Sequence, residues 1–521
     1  MSEPSPDNVL FVVLDTVRKD RLGPYGYEPE TTPGLDAFAA GEDVTVFEQA
    51  VAPAPWTLPV HASMFTGMYP SGHGADQENP YLEGATTLAE SLSREGYATA
   101  CYSSNAWITP YTHLTDGFDD QDNFFQVMPG DLLSGPLARA WKTMNDNETL
   151  RRVADKLVSL GNVAHEYLAS GEGADSKTPA VIDRTQSFVR DADAAGDDWF
   201  AFVNLMDAHL PYHPPAEYAE AFAPGADSTE VCQNSKEFNA GAREIDDAEW
   251  ADIEGLYDAE IAHIDAQLTR LFDWLRETGR WDDTAVVVCA DHGELHGEHG
   301  FYGHEFNLYD QLVNVPLMVK HPALEGGRRT DTVELIDLYH TVLDTLDVTA
   351  GVPAAADEES VPLDRTRSLL SAEYRAFDAA DNPDPGQAAA PDGAVGFVEY
   401  SRPVVELKQL AEKASAAGVD LPEQSRFYSR MRAARGTDAK YVRITRVPDE
   451  AYRLDEDPDE TENRVGEGDQ RLSETERRLA AFESAVGGAW SEPAQADVSD
   501  DSLDEMDEEA QERLRDLGYV E

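Results

Sequence analysis

Basic residues are scarce in this chain. Of 521 residues only 40 are Lys or Arg, against 101 Asp and Glu, leaving a formal charge of −61. A nucleic-acid partner is therefore not expected, because gripping a phosphate backbone takes basic patches. Cysteine is nearly absent as well. Cys101, Cys232 and Cys289 are far apart and show no ligand spacing, and Cys101 and Cys289 sit in apolar runs, so they read as small buried hydrophobes. A disulfide framework is not expected. No stretch approaches the ~18 apolar residues of a membrane helix. The N-terminus, MSEPSPDNVLFVVLD, has no basic n-region and no twin arginine. The expectation is a soluble, cytoplasmic protein with no membrane segment.

What is present argues for a folded enzyme-sized domain. Hydrophobic residues make up 41% of the chain, with 20 Tyr, 19 Phe and 8 Trp, which excludes a disordered acidic protein. The acid is spread along the chain rather than gathered in one tail. An evenly acidic surface fits a solvent of very high salt, where screening shortens self-repulsion, as in a halophile. The length suits one large α/β domain with a smaller partner.

Four short apolar runs read as buried strands: Val9 to Leu14, Ala98 to Tyr102, Phe200 to Met206 and Ala285 to Ala290. Helical patterns such as Thr87 to Arg94 and Leu256 to Thr278 alternate with them, the mark of an α/β domain with a mostly parallel sheet flanked by helices. Residues 129–196 read as a helical insertion, with a surface helical pair preferred to a lid. Residues 349–394, rich in Ala, Pro, Asp and Gly, read as a linker or long loop. The catalytic domain would span 7–348, a small α+β subdomain 395–490, and an acidic terminal helix 498–521, opened by Ser502-x-x-Glu505.

Strand ends carry the chemistry. The runs finish at Asp15-Thr16, at Asp207-Ala208-His209 and at Asp291-His292-Gly293, and parallel sheets bind ligands beyond their carboxyl ends. Asp15, Asp291 and His292 together would suit a divalent ion such as Ca, Mg, Mn or Zn, whereas any one alone is commonly a cap or turn residue. Convergence requires the two Asp-bearing strands to be neighbours. Thr57, in APWTLPVHASMFTG, reads either as a helix N-cap or as a hydroxyl activated by that metal. Asp207, His209, His213, His296, His299 and His304 are candidates for a second ion. The plainer reading of His296 and His299 is a loop supporting Asp291-His292. For His304 and Asp207 a ligand or substrate contact stands level with a supporting hydrogen bond. Arg18 and Lys19 read either as anion contacts or as surface charges, with Arg18 pairing to Asp20.

The stretches NVLFVVLDTVRKDRLGPYGY, TPGLDAFAA, WTLPVHASMFTGMYPSGHG, DDTAVVVCADHGELHGEHG and LYDQLVNVPLMV, in that order, resemble the successive signatures of the sulfatase family, within the alkaline-phosphatase superfamily. KYVRI and YRLDEDPDETEN resemble its C-terminal subdomain. The resemblance implies an alkaline-phosphatase-like fold, with Asp15, Asp291 and His292 as metal ligands. It also implies that Thr57 occupies the position of the Cys or Ser oxidised to formylglycine, that His209 contacts the anionic group, and that His304 lies close to a substrate-binding lysine.

This sequence departs from the pattern at telling places. Thr57 is not a formylglycine precursor, since that aldehyde needs a primary alcohol or thiol carbon. Thr16 replaces the second of two paired aspartates, and His61 stands where an arginine usually follows the nucleophile. YSSNAWI offers Asn105 and no basic side chain. Threonine nucleophiles in the superfamily, in lipoteichoic acid synthases and nucleotide pyrophosphatase/phosphodiesterases, resemble this arrangement and imply a haloarchaeal-type member with Thr57 as a metal-bound nucleophile. The leading expectation is a metal-dependent hydrolase of small-molecule or glycan sulfate or phosphate esters. A phosphodiesterase or phosphoryl-type transferase on glycan or other anionic substrates, and a non-catalytic binder of anionic glycans, stand beside it.

Overall fold

The computed structural model describes residues 5–124, 176–356, 358–372, 374, 395–488 and 490. The terminal helix expected over 498–521, most of the expected insertion and residues 375–394 of the expected linker lie outside these. Near-continuous apolar runs make strands buried on both faces, the pattern that a helix-covered parallel sheet demands. Eight strands form the main sheet: β1 (Asn8–Leu14), β2 (Val44–Val51), β3 (Ala98–Ser103), β4 (Asp120–Asn123), β5 (Trp199–Leu205), β6 (Thr284–Cys289), β7 (Asn314–Lys320) and β8 (Gly327–Glu334). Their spatial order is β8-β2-β7-β6-β1-β5-β3-β4. β7 runs antiparallel to both its neighbours, and every other pairing is parallel.

β1 therefore sits in the middle, with β5 on one side and β6 on the other. Val13 pairs with Cys289 of β6 and with Asn204 of β5. That register delivers the residues after β1, β5 and β6 to one edge of the sheet.

Helices cover the two faces. α1 (Thr57–Thr66) has all ten of its residues buried, starts with Pro59 in its first turn, where no intrahelical donor is lost, and stops at Gly67 in the left-handed region (φ 71°). α2 (Leu88–Arg94) is opened by a capping box between Thr87 and Glu90. α3 (Thr178–Ala195) falls within the stretch expected as an insertion, yet it packs on β3 and β5 and buries Val181, Ile182, Phe188 and Val189. Its apolar spacing belongs to the core. α4 (Asp247–Glu277) is capped by Asp246 and runs for 31 residues.

The smaller unit is an antiparallel sheet of β9 (Val395–Tyr400), β10 (Met431–Gly436), β11 (Lys440–Ile444) and β12 (Glu450–Tyr452), with α5 (Val404–Ala417) and α6 (Gln470–Ala485). Phe482 of α6 stacks on Phe397 with ring centroids 4.4 Å apart. An ionic cluster joins this sheet to the catalytic domain. Asp310 accepts from Arg435 at 2.7 Å and Lys440 at 3.1 Å, and Lys440 also pairs with Glu460 at 2.8 Å, all but Asp310 being essentially unexposed. Among the described residues no helix is long and apolar enough to cross a membrane.

Removing the shared acceptor takes the carboxylate from buried Arg435 and leaves Lys440 with Glu460 alone. Asp310→Ala is expected to lower unfolding free energy by about 3 kcal/mol, measured as a fall in denaturant midpoint; an unchanged midpoint would show that the cluster contributes nothing to the joint.

Candidate active site at the carboxyl ends of the central strands

Asp15 follows β1 and Asp291 follows β6, and with His292 they form a fully buried group. Each offers one ligand atom, and those atoms lie within 4.8 Å of one another. Burial pushes the Asp291 carboxyl well above its ordinary range, and the neighbouring Asp15 charge pushes it further. His292 is driven the other way, chiefly by burial, and is a neutral imidazole. Its Nδ1 donates to the Gly293 carbonyl at 3.0 Å, so its lone pair is on Nε2. That nitrogen is 3.4 Å from Asp291 Oδ2 and 3.4 Å from the Thr57 hydroxyl. Asp15 Oδ1 and Asp291 Oδ2 are buried and accept no hydrogen bond from the described residues. Two buried carboxylates with orphaned oxygens beside an imidazole lone pair fit a divalent cation.

Amides hold this group in place. Asp15 Oδ2 accepts from Asn105 at 2.8 Å and from Asn204 of β5 at 3.1 Å. Asn105 Nδ2 also reaches the Thr57 oxygen, at 3.3 Å. Thr16 adopts a left-handed backbone (φ 60°), uncommon for a β-branched residue, and its N–H donates to Asp291 Oδ1 at 3.3 Å. Its hydroxyl lies between the carbonyls of Asp15 and Ala208, at 2.7 and 2.6 Å.

Thr57 is the first residue of α1, and Trp56 holds the cap position without a side-chain cap bond. The hydroxyl therefore does not cap the helix; it faces His292 and Asn105. His61, one turn on, donates from Nδ1 to the Thr57 carbonyl at 2.9 Å, and that nitrogen is 3.8 Å from Asp291 Oδ2. Burial pulls the His61 pKa down to about 4, and its ring packs edge-on against Phe202. It lies beneath the metal group as a neutral support.

The other candidates divide. His304 and His209 face the site: their rings are 5.4 Å apart, and His304 is 4.5 Å from His292. Both line a cleft of about 160 Å³ with Thr57, Asn105, Trp56 and Trp107. Asp207 instead accepts from Ser176 at 2.6 Å and lies 3.7 Å from His263, at the start of α3. His213 bonds Ser228, His296 bonds Tyr212, and His299 stacks on Tyr309 at 3.6 Å. Arg18 is buried between Asp20 and Glu298, and Lys19 donates to the Glu48 carbonyl. Among the described residues one cluster with metal-ligand geometry is present.

Sequence reasoning did not find Asn204, Glu294, Lys236, Glu305 or Glu406. Glu294 bonds His304 Nδ1 at 3.2 Å. Burial lowers the His304 pKa, but Glu294 and Glu305 outweigh it and raise it to about 9. Half-buried Lys236 pairs with buried Glu305 in the cleft wall.

The Sulfatase family model matches residues 7–348. The chain is similar to the uncharacterized sulfatase YidJ of Escherichia coli, 26% identical over 365 residues covering 66% of this chain and 68% of that protein. It is similar to the arylsulfatase of Clostridium perfringens at 25% over 369 residues, covering 65% and 74%. The fold is that of the phosphonate monoester hydrolase of Agrobacterium radiobacter, with a TM-score of 0.58 at 21% identity over 92% of this chain and 96% of that one.

A raised folded-state pKa gives a stabilising contribution that is full below the unfolded value of about 6.5 and lost as pH rises through about 9. In metal-stripped protein the His304 ring is expected to titrate near 9 by NMR, and Glu294→Gln to bring that midpoint down. A ring titrating near 6.5 in the unaltered protein would show that the Glu294 pair is not formed.

Proposed function

This chain belongs to the sulfatase family, and from that we propose a metal-dependent hydrolase of sulfate or phosphate esters in which Thr57 is the nucleophile. The observation that carries the reading is the Thr57 hydroxyl, free of capping duty at the head of α1 and 3.4 Å from the lone-pair nitrogen of His292. A divalent ion held by Asp15, Asp291 and His292 would lower the pKa of that hydroxyl and draw charge from the ester oxygens.

The chain's own groups do the rest. Asn105 donates to both Asp15 and Thr57, fixing the direction of the nucleophile's lone pair. The head of α1 carries a partial positive charge that favours an anion. Thr57 Oγ1 bonds to sulfur or phosphorus as the bond to the leaving alcohol breaks in line. His304 gives its proton to the departing oxygen and is restored by the proton that Thr57 loses. Water then attacks the same atom, the bond to Thr57 breaks, and a proton from that water returns to the threonine. His209, on the cleft wall, contacts the equatorial oxygens. The acidic surface supports work at molar salt.

Thr57 itself favours a second reading, a phosphodiesterase or phosphoryl-type transferase, since formylglycine is not expected at a threonine. One experiment separates them: release of 4-nitrophenol from its sulfate, its phosphate monoester and its bis-phosphodiester, in molar KCl with Mn, Ca, Mg or Zn. Chelation is expected to silence release, and Thr57→Ala to reduce it about 10³-fold or more, with acid-quenched wild type carrying a sulfo or phospho adduct on the Thr57 peptide. Full activity in Thr57→Ala would remove the threonine from the reaction, and preference for the phosphodiester would select the second reading.

A further inference from the structure

Beyond the metal group the cleft changes character. Thr57, Asn105 and His209 line it beside the metal group, and Lys236, Glu305 and Glu406, the last from α5 of the small subdomain, make up a further wall, the far wall of the cleft. Buried acceptors are in excess on that side. Lys236 is committed to Glu305 Oε1, and the Gln77 amide to Glu406 Oε2. Glu305 Oε2 and Glu294 Oε2, on residues 4% and 0% exposed, have no donor among the described residues. A buried carboxylate oxygen left without a donor is costly. The backbone nonetheless makes room for one of them. At Gly303 (φ +94°) a Cβ would fall 2.7 Å from Glu305 Oε2.

The charges are also unbalanced. Glu305 and Glu406 face one lysine, Lys236, and burial, with the Glu305 charge added, raises the Glu406 carboxyl against the pull of Lys236, a cost that a second cation would relieve. A neutral hydroxyl would satisfy an acceptor and leave the charge. A quaternary ammonium would balance the charge and offer no N–H. A protonated primary amine does both, through charge-assisted bonds. Trp56 and Trp107, edge-on at 5.6 Å, supply an apolar flank for the carbon frame between ester and amine.

We propose that this far wall is the leaving-group subsite and that it selects esters whose alcohol carries a protonated primary amine, so that the substrate is a zwitterion. The inference rests on the ester-hydrolase reading above.

The test pairs esters that differ only in the donor: 2-aminoethyl against 2-hydroxyethyl sulfate, and 4-(aminomethyl)phenyl against 4-(hydroxymethyl)phenyl sulfate. The full chain in molar KCl with Mn is assayed near neutral pH for kcat/KM, and Thr57→Ala is titrated with the same esters by calorimetry. Salt screens a buried pair little. The amine ester is expected to be preferred about tenfold or more in at least one pair, and the ratio to fall toward one in Glu305→Gln and Glu406→Gln. Because the ratio is taken within one protein, a variant that folds poorly does not imitate the result. A ratio near one in the unaltered protein, in turnover and in binding, overturns the subsite, and a hydroxyl preference assigns it to neutral polyols. No turnover with the amine preference kept in binding overturns the hydrolase reading and leaves the subsite standing.

Discussion

Two carboxylates that repel each other are held side by side at the centre of the molecule, and much of the structure follows from keeping them there. Asp15 and Asp291 come from adjacent parallel strands, so their proximity is set by backbone pairing and needs no attraction between them. Burial alone makes the charged pair unfavourable, and each carboxylate raises the cost for the other. The surroundings answer with fixed dipoles. Asn105 and Asn204 donate to one acid, and the backbone of Thr16 and His292 to the other. A residual demand for positive charge is left at the orphaned oxygens, and the same geometry that creates it leaves a threonine hydroxyl beside it.

Beneath and around this pair the supports are neutral. His61 takes the space under Thr57 as an uncharged ring packed on Phe202, and the left-handed turn at Thr16 stores strain that hydrogen bonds with Asp15, Ala208, Tyr257 and Asp291 hold in place. Net charge enters only at the rim, with His304 on Glu294 and Lys236 on Glu305. The protein's own groups leave the site short of positive charge, which a divalent ion at Asp15, Asp291 and His292 would supply where an ester anion arrives.

The central strands were legible because burial on both faces leaves no room for polar residues, so β1, β3, β5 and β6 stand out as apolar runs ended by Asp or Ser. Their order was not legible. That β1 lies between β5 and β6 is a long-range fact, and local pattern offers no sign of it. β2 and β8, with charged and polar residues among the apolar ones, do not stand out either. Thr57 was readable as special, but only its coordinates separate a first helical residue from a cap. Lys236, Glu305 and Glu406 were hidden for a different reason: among 101 acidic residues a buried glutamate looks like every surface one. The one local hint was Glu305 directly after His304, in a Gly- and aromatic-rich loop. α3 misled because its polar face was read with the polar stretch before it.

The far wall of the cleft takes Glu406 from α5, beyond residue 394, whereas Lys236 and Glu305 of the same wall, and every side chain of the metal group, come from the earlier stretch of chain. The cleft wall is thus written in two stretches of the gene, joined in space by the Asp310 cluster. Change confined to the later stretch would alter Glu406 and leave Asp15, Asp291 and His292 as they stand, so one side of the cleft can be reshaped without disturbing the other.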